Sequence, residues 1–204
     1  MATISSQKLN QVKEWYIAGD SMREIGEKLG ASLNSVIYFF RKHDISRRSP
    51  KEANKVLFDK KPLSFLIKDK LTAEEKRLKI AGLMLYWAEG TERNSSVDFV
   101  NSNTAMILLF LKFLRVICRV DERRLRVFIY CYDDQDRDQL ISYWSKKTEI
   151  SACQFTKPYV RKKSNMRFGR RMEYGLVHIR YSDIKLLRYL IEEKDEYLAC
   201  NKIK

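Results

Sequence analysis

Thr72-Ala73-Glu74-Glu75 is a capping box, a threonine that bonds the third helical N–H while Glu75 reaches back to the cap. It opens a helix that runs through Leu78 and Ile80 into the apolar stretch Ala81-Gly82-Leu83-Met84-Leu85-Tyr86-Trp87-Ala88 and ends at Glu89-Gly90. Gly90 stands where a left-handed residue commonly closes a helix. A helix of this kind needs a core on one side, so the chain around it has to supply a second layer. Its terminal carboxylate is unusual company in a chain with 40 Lys+Arg against 26 Asp+Glu, a net charge of +14. A carboxylate at the negative end of a helix dipole is mildly unfavourable, by a few tenths of a kcal/mol to about 1, unless a cation lies nearby. A metal ion held over bound DNA would be such a cation.

That charge predicts a polyanionic partner, with nucleic acid ahead of a membrane surface. With 204 residues, 45% hydrophobic and only three prolines, the chain has material for one good core, or for a small module beside a mid-sized domain. The N-terminal residues lack the apolar centre of a signal peptide. No apolar run approaches the roughly 20 residues of a membrane span, since Ala105 to Val120 is broken by Lys112, Arg115 and Arg119. The expectation is a cytoplasmic protein, nucleoid-associated if bacterial or archaeal, without a membrane partner. Cys118, Cys131, Cys153 and Cys200 are scattered with no C-x-x-C pair, and His43 and His178 are isolated, so the cysteines read as reduced, packed thiols rather than zinc ligands. No Ser-His or Cys-His pairing suggests covalent catalysis, and no phosphate-cradling glycine motif suggests nucleotide binding.

Three helical segments are expected in the first 45 residues: Lys8 to Ala18, Met22 to Leu29, and Leu33 to His43 behind an N-cap at Ser32. The stretch Ser21-Met22-Arg23-Glu24-Ile25-Gly26-Glu27-Lys28-Leu29-Gly30-Ala31-Ser32-Leu33-Asn34-Ser35-Val36 resembles a helix-turn-helix of the recombinase/homeodomain-like type. A small residue at Gly26 and a glycine at the turn let two short helices cross closely, so that the second can lie in a major groove. The resemblance implies that Asn34, Ser35 and Tyr38 face base edges, and that Arg41 and Lys42 face phosphates. The basic exit carrying Arg47 and Arg48 would follow the groove or backbone. This gives a DNA-binding module over 1–48, then a polar, proline-marked linker over 49–71 with some local structure around Leu63 to Ile67.

Beyond it, Val97 to Asn101 reads as a strand, and Ser102 or Asn103 caps an apolar helix to about Val120. Leu125 to Tyr132 is a β-rich strand, with Asp133-Asp134 opening a helix to about Lys147. Cys153 to Tyr159 and Leu176 to Tyr181 read as further strands, and Ser182 caps a final helix to about Leu198. The sum over 72–204 is an α+β domain with its helices on one face of an antiparallel sheet.

The helix ending Trp87-Ala88-Glu89-Gly90, the strand after it, Asn101-Ser102-Asn103 leading into an apolar helix, and Arg180 late in the last strand together resemble the LAGLIDADG homing-endonuclease family. That resemblance implies a LAGLIDADG-like domain in which Glu89 is the Mg²⁺ ligand, Ser102 or Asn103 positions water and Arg180 faces the phosphate. A single motif implies a homodimer paired through the 73–89 helix, with one acid from each copy. Such helices approach through small residues four apart; Ala88 fills one such position and Met84 the other, with Ala81 and Gly82 placed to shift the contact. Lys157 to Arg171 contains no acidic residue. Its Lys157, Arg161, Lys162, Lys163, Arg167, Arg170 and Arg171 read as a DNA-saddling hairpin, with Tyr159 and Phe168 able to stack. The functions that fit are a homodimeric Mg²⁺-dependent endonuclease, or a non-cleaving sequence-specific regulator built on the same fold. A structural-RNA binder would share the charge, but the helix-turn-helix argues against it.

Overall fold

The computed structural model describes residues 4–93, 95–162 and 172–202. Among these the chain forms eight α-helices and one four-stranded mixed sheet, an α+β protein. It divides into two compact units between Pro62 and Leu63.

The N-terminal unit contains α1 (Leu9–Ile17), α2 (Met22–Leu29), α3 (Leu33–Lys42) and α4 (Pro50–Lys60). The first three match the segments read from the sequence. Ser21 and Glu24 form a capping box on α2, and Ser32 Oγ accepts from Ser35 N at 3.2 Å to start α3. Gly30 closes α2 with φ +62°, a left-handed turn that glycine adopts without steric cost. At Gly26 a Cβ would meet the Ala31 carbonyl oxygen at 2.8 Å, so the small residue is what lets α2 and the turn approach. Val12, Ile25, Val36, Phe39 and Phe40 form the core of this unit.

The stretch read as a linker is ordered. Ser49 and Glu52 make a second capping box, with Pro50 at the first helical position, and α4 follows. A Cβ on Gly19 would touch Val56 and Lys60 of α4, and Lys60 pairs with Asp20 and Glu24, which ties the helix into the unit. Residues 63–71 belong to the C-terminal unit instead. Leu66 N donates to the Cys118 carbonyl and Lys68 N to that of Ile117, Phe65 is buried in the core, and Tyr181 Oη donates to Ser64 Oγ at 2.8 Å.

The C-terminal unit runs α5 (Ala73–Glu89), β1 (Val97–Asn101), α6 (Thr104–Val116), β2 (Leu125–Tyr132), α7 (Arg137–Thr148), β3 (Tyr159–Arg161), β4 (Leu176–Tyr181) and α8 (Ile184–Cys200). Strand order is β1-β4-β2-β3. The expected antiparallel sheet is corrected at one edge. β1 and β2 flank β4 antiparallel, but β3 runs parallel to β2, because the chain leaves β2 through the crossover helix α7 and returns in the same direction. Two helix starts also move. Asp136, rather than Asp133-Asp134, caps α7, and Asp183, rather than Ser182, caps α8. The strand expected over Cys153 to Tyr159 begins only at Tyr159, after a 3-10 turn at Ala152–Gln154.

One face of the sheet meets the helices. Val97, Phe99, Leu125, Val127, Ile129, Val177, Ile179 and Tyr181 join Leu83, Phe110, Phe113, Leu114, Trp144 and Leu190 in a single core. Gly82 lets α5 lie against α6, since a Cβ there would fall 2.1 Å from Cγ of Phe113. Gly90 is not left-handed. Its φ is −91° and ψ 161°, and a Cβ would strike the Tyr86 carbonyl oxygen at 2.4 Å and the Tyr86 ring at 2.5 Å. Close approach to Tyr86, rather than a positive φ, is what the glycine provides. No helix among the described residues is long and apolar enough to cross a membrane. Cys118 and Cys131 are buried thiols as expected, but Cys153 and Cys200 are exposed.

Candidate nucleic-acid interface

Side chains alternate across a strand, so the residues between those of the core point to the other face of the sheet. On β2 these are Arg126, Phe128, Tyr130 and Tyr132; on β4 Leu176, His178 and Arg180; on β1 Asp98 and Val100; on β3 Tyr159 and Arg161. The register aligns them in rows: Asp98, Arg180 and Arg126; then Val100, His178 and Phe128; then Leu176, Tyr130 and Tyr159; then Tyr132 with Arg161. None belongs to the hydrophobic core or packs against it.

The first row is electrostatically organised. Asp98 is only 5% exposed, and its carboxylate accepts from Arg180 Nε at 2.9 Å and from His178 Nδ1 at 3.0 Å. Burial alone pushes this carboxyl up, but His178 and Arg180 outweigh it and hold the group below the ordinary carboxylate range. With Nδ1 directed at the carboxylate, His178 has Nε2 left for another partner. The Arg180 guanidinium lies 4.9 Å from the centre of the Phe128 ring. Arg126 is exposed, with Nη1 donating to the carbonyls of Arg123 and Leu125 at 2.7 Å. Three guanidinium groups and a single buried, neutralised carboxylate make the face positive.

Aromatic rings fill the centre. Tyr130 lies 4.9 Å from Phe128, 5.0 Å from Tyr159 and 5.2 Å from His178, centroid to centroid. Tyr159, on the edge strand, is 53% exposed. Arginines around aromatic planes suit a polyanion that also presents flat bases.

The sequence-predicted residues fall in several places. On α3, Asn34, Tyr38, Arg41 and Lys42 are exposed, Tyr38 at 65%, and their spacing gathers them along one side of the helix. Ser35 is only half-exposed, and its hydroxyl lies 2.9 Å from that of Ser32. Arg47 is exposed. Arg48 turns inward: its guanidinium stacks 4.0 Å over Tyr16 and donates to the Asp20 and Tyr16 carbonyls, while its N–H donates to Tyr16 Oη at 2.7 Å. That arginine braces the helical unit instead of extending from it.

In the C-terminal unit, Lys157, Arg161 and Lys162 are exposed, and Arg161 sits in the last row of the open face. Lys163, Arg167, Arg170 and Arg171, with Phe168, lie outside the described residues. Glu89 is exposed at the end of α5, and the next residue, Gly90, bridges to Phe99 on the edge strand β1. Ser102 is exposed just past β1. Asn103 is spent as the N-cap of α6, its Oδ1 accepting from Ala105 N at 2.9 Å and Met106 N at 3.3 Å. Arg180 is engaged with Asp98.

Tested as a Mg²⁺ site, this donor set is incomplete within one chain. Mg²⁺ takes several oxygen ligands, Glu89 offers one carboxylate, and Asp98 on the adjacent strand is committed to Arg180 and His178. Among the described residues no three His, Cys, Asp or Glu side chains cluster to hold a metal. Gly82, one of the small residues expected at a helix-pairing seam, is used against Phe113 of the same chain. The outer side of α5 carries the exposed Lys76, Ile80, Trp87 and Ala88, with Trp87 at 49%.

Arg126, Phe128, Tyr130, Tyr132 and His178 were not singled out by reading the sequence. The signal was there in Leu125-Arg126-Val127-Phe128-Ile129-Tyr130-Cys131-Tyr132, whose every second residue is aliphatic or cysteine and whose intervening residues are arginine or aromatic. The chain matches no protein-family model, no curated protein and no solved structure.

Proposed function

We propose that this protein binds double-stranded DNA at defined sequences, using α3 as the reading helix of a helix-turn-helix and the open sheet face as a second contact surface. The observation that carries the reading is the one-sided sheet. The face that no helix of the described residues packs against bears Arg126, Arg161 and Arg180 around Phe128, Tyr130 and Tyr159, in a chain of net charge +14. Arginines there would supply phosphate affinity, and the exposed Asn34 and Tyr38 on α3 would read base edges.

A second reading is the homodimeric, Mg²⁺-dependent endonuclease of LAGLIDADG type. It is favoured by one observation, the exposed Glu89 beside the sheet's edge, on a helix whose outer Ile80 and Trp87 are exposed. Because the described residues of one chain offer no complete donor set, Glu89 of two copies and the scissile phosphates would have to complete it. Without that pairing the protein is a regulator that binds and does not cut.

Selection from a randomised duplex library, with Mg²⁺ and with EDTA, followed by sequencing of bound and cut molecules, tests both. An enriched sequence establishes specific binding, and no enrichment refutes it. Metal-dependent cuts at a near-palindromic site would make it a nuclease. In that case Glu89→Gln keeps binding and abolishes cutting, whereas normal cutting by this variant removes Glu89 from the metal.

A further inference from the structure

The open sheet face is not a uniform surface. Between the second and fourth rows it sinks into a pocket of about 320 Å³ whose lining includes Val100, Tyr130, Tyr132, Arg161, Leu176 and His178. These six point away from the core, and the remaining lining is Cys131 of β2 and Met172, so most of the pocket wall lies on the side that carries the arginines. Its volume lies at the small end of the range for ligand pockets, about 300–1,000 Å³. The edge of an intact duplex cannot enter such a space, whereas one flat ring can.

The lining fits that occupant in three ways. Tyr130 offers an aromatic plane already flanked by His178 at 5.2 Å and Tyr159 at 5.0 Å. Val100 and Leu176 supply apolar walls. Arg161 and His178 supply convergent polar groups, and the imidazole is held through Nδ1 by Asp98 so that Nε2 remains for a ligand. An aromatic plane with apolar walls and a few fixed polar groups suits a nucleobase taken out of its stack, with the following phosphate near Arg161. Extraction costs a few kcal/mol for a paired base and least for a mismatched or bulged one.

On the premise that this face meets DNA, we infer that the pocket receives a single unpaired nucleobase, so that the protein prefers DNA containing a bulged or mismatched base over a fully paired duplex. Stacking on one aromatic side chain changes affinity on the order of tenfold or more.

The test compares three labelled DNAs of one sequence in fluorescence anisotropy: a fully paired duplex, the same duplex with one bulged 2-aminopurine, and the single strand. The expected result is binding to the bulged duplex on the order of tenfold tighter than to the paired one, with the 2-aminopurine emission quenched on binding. Tyr130→Leu, which retains apolar volume, should bring the ratio of the two affinities close to one, and Tyr130→Phe should restore it. Equal affinity for paired and bulged duplexes, with no quenching, overturns the pocket while leaving duplex binding intact. Binding to the bulged duplex or single strand alone supports the pocket and refutes the duplex reading. Binding to none of the three refutes both.

Discussion

Gly82→Ala distinguishes packing within the chain from pairing between chains. Alanine is favoured over glycine in a helix interior by about 1 kcal/mol, so a Gly82 that merely faced solvent or a loose dimer seam would give a more stable monomer. Here the added Cβ would lie 2.1, 2.5 and 2.6 Å from Cγ, Cδ1 and Cβ of Phe113, which is fully buried. Ordinary contact begins near 3.4 Å, so the ring or the helix has to move by more than 1 Å in a filled core. Overpacking of this kind costs about 1–3 kcal/mol, occasionally more, and three ring and stem atoms this close argue for the top of that range. Subtracting the helix-propensity gain leaves a net loss of about 2 kcal/mol, or about 8 °C in Tm for a unit of this size. Urea denaturation of the full chain followed by tryptophan fluorescence reads this, with Trp87 and Trp144 reporting on the C-terminal unit. Pairing the variant with Phe113→Leu should recover part of the loss, so that the double variant is less destabilised than the sum of the singles. A Gly82→Ala protein that is more stable than the parent would refute the α5–α6 contact and return Gly82 to the surface.

Two further outcomes concern the candidate interfaces. Asp98 has a folded-state pKa below its ordinary value, so its contribution to stability is complete above about pH 4 and is lost as pH falls through the lower folded value. Asp98→Asn should therefore flatten the acid limb of a stability-against-pH curve below about pH 4, and an unchanged limb would show that the pair with Arg180 and His178 does not form. On α3, Asn34→Ala and Tyr38→Ala should reduce discrimination between the selected site and a scrambled one by about 1–3 kcal/mol. Arg41→Ala should weaken both sites alike, and a competition gel separates the two behaviours.

The local signals in this sequence were legible where chemistry acts over a few residues. Ser32 marks the start of α3 and Thr72 with Glu75 that of α5, and the structure forms both caps. Leu176 to Tyr181 and Val97 to Asn101 were found as strands with their observed bounds. A capping box at Ser49 and Glu52 stands among lysines beside Pro50 in a stretch that reads as a linker, although proline suits the first turn of a helix. Gly90 reads as a left-handed cap, yet what demands glycine there is the Tyr86 ring and carbonyl, a contact not visible in a one-dimensional pattern. Strand order and the parallel pairing of β3 depend on where α7 returns the chain, which periodicity does not encode. The open face was missed for a related reason. Arg126, Arg161 and the His178–Arg180 pair of β4 are far apart in sequence and come onto one face only through the register. In the sequence Arg161 reads as part of a consecutive basic run and Arg180 only by its place late in the last strand, while Arg126 and His178 carry no such mark.

The most direct test of the sheet face as a DNA contact surface is the salt dependence of duplex affinity for the wild-type protein and for a variant carrying Arg126→Ala and Arg161→Ala. Each phosphate contact contributes about 0.9 to the slope of log K against log salt concentration. The slope should become shallower by about that amount for each of these contacts, with folding unchanged. A slope identical to that of the wild type would contradict this and remove the open face from the interface.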